Sequence, residues 1–174
     1  MQVTNVRTPS SIVATASTST ITTQDAAGKN VDTVADVVTD AITVGTIVGT
    51  KTFVGATKTP GFKSNHVLSF TTAGQVPKAS GTVLLLLPAS FTEKPTAQFS
   101  METPVASFTT PGSNAAVASS PFSGRTLTVT MLGTGTNVGL PQATACVMQV
   151  TNVRTPSSIV ATASTSTITT QDAA

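Results

Sequence analysis

Tryptophan and tyrosine are missing altogether, so seven phenylalanines are the only aromatics in 174 residues. Charge is scarce too. Lys, Arg, Asp and Glu together supply 9% of the chain, against roughly 25% in an ordinary soluble domain. So little charge excludes a chain held open by its own repulsion. Nine cations face seven anions, a surplus too small for a phosphate-neutralising surface, and this argues against a nucleic-acid partner. A lone cysteine, Cys146, excludes an internal disulfide framework. The longest unbroken apolar run, Val83 to Leu87, has five residues, where a membrane-spanning helix needs about 18 or more. What fills the chain instead is threonine and serine, 36 and 18 of them. With 39% hydrophobic residues, the length suits one domain of ordinary size.

The chain repeats itself. Residues 1–27 read MQVTNVRTPSSIVATASTSTITTQDAA, and residues 148–174 repeat all 27 letters at an offset of 147. A tandem array with that period is the simplest source; an engineered duplication or circular permutation is the alternative. The run from Ala143 to Val153 puts Cys146, Met148 and Val150 on one face of a strand. Met1 stands at the position of Met148, in mid-strand, and reads as an internal residue rather than an initiator. The missing leader then carries no information.

Prolines at 60, 77, 88, 95, 104, 111, 121 and 141 divide the middle of the chain into short segments, as in all-β sandwiches. His66–Thr72 sets Leu68 and Phe70 on one face. Thr96–Glu102 aims Ala97, Phe99 and Met101 inward, and Val105–Thr109 does the same with Ala106 and Phe108. Arg125–Leu132 sets Leu127, Val129 and Met131 against Thr126, Thr128 and Thr130. Such alternation predicts antiparallel sheets with one buried and one wet face, and β-branched Thr favours extended backbone on the wet side. Val83–Leu87 departs from it, being apolar on both faces. It is either a central strand covered on both sides, or a strand whose outer face meets another copy.

Ser17–Thr23 reads as a polar strand, Gln24–Asn30 as a hairpin loop, and Val31 onward as the return strand. The second copy stops at Ala174, before its own return strand. From Asp32 to Thr43 a helical and an extended period compete; the β-branched content favours extended structure. Gly45, Gly49 and Gly55 then space out Ile47, Val48, Phe53 and Val54, as in a hinge or edge strand. Residues 1–40 are accordingly expected to be the closing strands of a preceding repeat, or a segment donated to a neighbouring subunit. Residues 41–174 are expected to form a β-sandwich repeat lacking its last return strand.

Catalytic constellations are poor. His66 is the only imidazole, and Ser64 beside it on the same strand makes no relay. Gly133, Gly135 and Gly139 are spaced one residue too widely for a dinucleotide loop, and Leu140-Pro141-Gln142 starts no helix; a hairpin connection is expected there. Asp32, Asp36 and Asp40 read as a solvated acidic patch rather than a Ca²⁺ site. Cys146 reads as a buried free thiol. No asparagine has Ser or Thr two places on, although the Thr/Ser-rich faces are open to O-glycans. Residues 1–50 carry a net charge of −2 and residues 51–147 a net of +4, which would give register to head-to-tail contacts.

HVLSFTT at 66–72, GTVLLLLPASF at 81–91, RTLTVT at 125–130, and VTNVRTP at 150–156 with the TITTQDAAGK sequence resemble the immunoglobulin-like repeat units of large microbial and protist surface proteins. The resemblance implies an immunoglobulin-like antiparallel β-sandwich whose N-terminal strands pair into a neighbouring repeat or subunit. It implies a non-enzymatic structural role in an extracellular or cell-surface filament, without cofactor, metal or catalytic residues. The partners would be identical copies of the chain. The alternative is a surface adhesin module, binding glycan through loops such as Pro111–Pro121.

Overall fold

A computed structural model describes residues 18–38, 41, 45–79, 81–88, 100–136, 138–157 and 166–171. The chain divides into two units, Met1–Gly45 and Thr46–Ala174.

The first unit holds an antiparallel hairpin of β1 (Thr18–Gln24) and β2 (Asn30–Val38). Asp25 builds its turn: one carboxylate oxygen accepts from the backbone N–H groups of Ala27 and Lys29, each at 2.9 Å. Gly28 supplies the positive φ, at 75°, where a side chain would be strained. The competition between helix and strand at Asp32 is settled for the strand. Its alternation is nonetheless broken, because Val37 pairs with Ser19 while Val34 pairs with Ile21. The extra residue forms a bulge, and Asp36 lies in it with φ 66°. Asp40 lies outside the described residues.

The second unit is all-β. Its strands are β3 (Val48–Gly55), β4 (Lys63–Thr71), β5 (Thr82–Leu86), β6 (Ser100–Met101), β7 (Ala106–Thr110), β8 (Val117–Ser119), β9 (Phe122–Ser123), β10 (Thr126–Met131), β11 (Ala145–Arg154) and β12 (Thr167–Gln171). One five-stranded sheet runs β12-β5-β10-β8, with β9 also on β10; the other runs β3-β4-β11-β6, with β7 also on β11. All described pairings are antiparallel.

The two sheets contribute to one core in a sandwich-like arrangement. Leu68 and Phe70 of β4 and Cys146, Met148 and Val150 of β11 come from one sheet; Val83, Leu85, Leu127 and Val129 come from the other. Each large side chain removed from water in this way contributes roughly 1.5–3 kcal/mol. The inward faces read from the alternation in β4, β7, β10 and β11 are buried as expected. Met101 is buried on β6, whereas Ala97 and Phe99 lie outside the described residues. The glycine-spaced stretch from Gly45 to Gly55 contains β3, an edge strand of its sheet.

The hairpin expected around Gly133–Gly139 is not formed. β10 and β11 lie in different sheets, so the segment crosses between them. Val76 and Leu140 exchange two backbone hydrogen bonds of 2.9 Å beneath the crossing. Gly139, at φ 75°, is required there, since a Cβ would run into the carbonyl oxygen of Val76. Turn glycines look alike in sequence whether they join neighbours in one sheet or carry the chain to the other. A threonine secures the adjoining loop: buried Thr72 donates from Oγ1 to the Pro141 carbonyl at 2.6 Å and accepts from Thr144 N–H at 3.1 Å.

Candidate self-association site

Free sheet edges invite pairing with other chains, and most edges of the second unit are blunted. β3 has Gly49 at φ 70°, an interrupted register with β4, and Lys51. β8 and β9 cover their edge with three and two residues. β6 and β7 divide the far edge of β11 between them, with a register shift beside β7. β12 is different: among the described residues it is a regular outer strand, TITTQ, without charge, proline or bulge.

β5 lies between β12 and β10 and explains the Leu84–Leu87 run. Leu85 and Leu87 point into the core, while Leu84 is half-buried and Leu86 is 38% exposed on the outer face. Within the second unit, neither faces the opposite sheet. They are flanked by threonines instead: Thr126 and Thr167 stand opposite Leu86, and Thr128 and Thr169 opposite Leu84. Directly opposed residues are near enough for threonine methyl groups to shield leucine. The expectation of a central strand covered on both faces therefore gives way to one covered on its inner face and partly open on its outer face.

The same five letters, TITTQ, occupy two settings. At 167–171 they pair with Leu86–Thr82 of β5, and Ile168 packs against the core. At 20–24 they lie in β1 against β2, with Ile21 opposite Val34. There Ile21 is 54% exposed and Val34 53%. Local sequence cannot account for the difference; the adjoining strand decides it.

The other residues singled out by the sequence are held structurally. His66 is buried in mid-sheet, its ring centre 4.9 Å from that of Phe53. A Cβ on Gly55 would stand 2.5 Å from its Nε2, so the neighbouring strand needs glycine at this point. Burial pushes the imidazole below its ordinary pKa of 6.5, partly offset by a hydrogen bond that the ring donates to the Ser64 backbone carbonyl. Cys146 is buried and its thiol, desolvated, is pushed up to about 11. Asp32 is exposed and accepts from Thr23 Oγ1 at 3.2 Å. Pro111–Pro121 is not one open loop, since a 3-10 turn at Gly112–Ala115 and strand β8 lie within it. Among the described residues no group of three His, Cys, Asp or Glu could hold a metal ion, and no helix is long and apolar enough to cross a membrane.

The dual setting of TITTQ was missed at the level of sequence, although its signal was there: one isoleucine at the centre of an otherwise polar strand, present twice. Comparison with protein-family models, with curated proteins and with solved structures gave no match for this chain.

Proposed function

We propose that this chain is a structural subunit of an extracellular protein filament, built from identical β-sandwich repeats joined head to tail. The exact recurrence of 27 residues carries the reading. A segment that recurs letter for letter at an offset of 147 residues suits an architecture of identical units in succession. The low charge, the all-β unit and the unblunted β12 edge support it. The repeat is read as an immunoglobulin-like sandwich. Residues 1–40 pair into a neighbour, either along one continuous polypeptide or by strand donation between separate subunits.

Electron microscopy of the native assembly tests this. The expected result is a filament with an axial repeat of one sandwich length, roughly 40–50 Å for strands of ordinary rise plus loops. Denaturing electrophoresis distinguishes the two forms: a ladder or very large band marks a continuous array, and one band near 17.5 kDa marks separate subunits. A dispersed native material that binds glycan and never polymerises would overturn the filament reading in favour of an adhesin.

A further inference from the structure

We infer that the β1–β2 hairpin of one copy seats on β5 of a second copy in place of that copy's β12, giving the sheet order β2-β1-β5-β10-β8; this rests on the filament reading above. Matching strand edges carry the inference. On β5, Leu87 N–H donates to Arg125 and the Gly81 carbonyl accepts from Met131, at 2.9 and 2.8 Å. Odd-numbered residues of β5 therefore turn their backbone groups to β10, and even-numbered ones turn theirs to β12. By register, Thr167, Thr169 and Gln171 face β5. In the hairpin, Asp25 N–H donates to the Lys29 carbonyl at 2.9 Å, so Thr23 and Ile21 face β2. The extra residues of that pairing all lie on β2, which leaves the alternation of β1 regular. The backbone groups of Thr20, Thr22 and Gln24 then face away from β2. These three occupy the repeat positions of Thr167, Thr169 and Gln171. The edge turned outward in the hairpin is thus the edge that the second copy uses on β5.

The side chains agree with the backbone. Seating β1 on β5 in the β12 register places Ile21 opposite Leu85, as Ile168 is now, and brings Val34 to the same inner face. Two apolar residues, each more than half exposed in the hairpin, are withdrawn from water together. β12 offers five residues and one such isoleucine. The hairpin offers the same five residues with a second strand already paired, so less conformational freedom is lost for more surface covered. Asp32 falls on the new outermost strand, where its carboxylate stays at the rim.

Disulfide trapping between two full-length variants tests the register. Thr22→Cys in one and Leu84→Cys in the other are mixed and oxidised; Thr23→Cys with Leu84→Cys is the off-register control. The expected result is a covalent heterodimer for the first pair and not for the second, since opposed strand positions lie within disulfide reach. Adding Ile168→Asp to the Leu84→Cys variant should raise the yield several-fold by weakening the competitor strand. Filaments without the 22–84 cross-link overturn this junction and leave the filament reading standing. Absence of both filaments and cross-link overturns the two together. A 22–84 dimer without filaments supports the edge pairing and removes the polymer.

Discussion

At the scale of single residues, the fold assigns ordinary side chains to demanding positions. Thr72 is one: its hydroxyl both donates to Pro141 and accepts from Thr144. Thr72→Val keeps the shape and deletes the hydroxyl, leaving two backbone groups without that partner. The expected cost is about 1–3 kcal/mol, read as a lower urea midpoint with an unchanged slope. His66 gives a pH dependence. Because burial lowers its pKa in the folded chain, the unfolded chain binds the proton more readily. Its contribution is complete above about pH 6.5 and is lost as the pH falls below that value toward the lowered one. Urea midpoints at pH 7 and pH 5 should therefore differ, and His66→Gln should shrink that difference. An unchanged difference would show that the carboxylates, not the imidazole, set the pH response.

Among the elements, those legible in the sequence were strands whose inner and outer faces differ strongly in polarity. β4 and β10 place Leu68 and Val129 in the core by alternation, as β11 does with Met148 up to Val150, and the Asp25–Gly28 turn carries its own hairpin chemistry. The glycines of 133–139 were not legible, because neither flanking strand takes the other as its partner: β10 pairs with β5, β8 and β9, and β11 with β4, β6 and β7. TITTQ is the sharpest case, since identical letters cannot predict two environments. It follows that one substitution has two outcomes. Ile168→Thr removes a half-buried side chain from the core boundary and should lower sandwich stability by about 1 kcal/mol. Ile21→Thr, at the same repeat position, should leave unfolding of the dispersed, unpolymerised chain's sandwich unchanged. Equal effects in paired urea titrations would mean that the strand at 167–171 gains nothing from β5.

For the molecule as a whole, the uneven charge becomes a kinetic matter. Residues 1–50 sum to −2 and residues 51–147 to +4, so in the proposed filament the acidic segment of one copy would be drawn toward the basic stretch of another. At so few charges the attraction guides encounter and orientation more than it adds affinity. The holding contacts of the proposed junction, backbone pairing and a buried isoleucine, would be short-ranged and little affected by screening. Salt should therefore separate the two contributions. Raising ionic strength from 0.01 M to 1 M shortens the Debye length from about 30 Å to about 3 Å. Polymer growth followed by light scattering should slow over that range, while the final polymer mass recovered by sedimentation stays nearly constant. A growth rate indifferent to salt would remove charge from the ordering of copies, and a final mass that collapses with salt would mean that ion pairs, rather than strand edges, hold the junction.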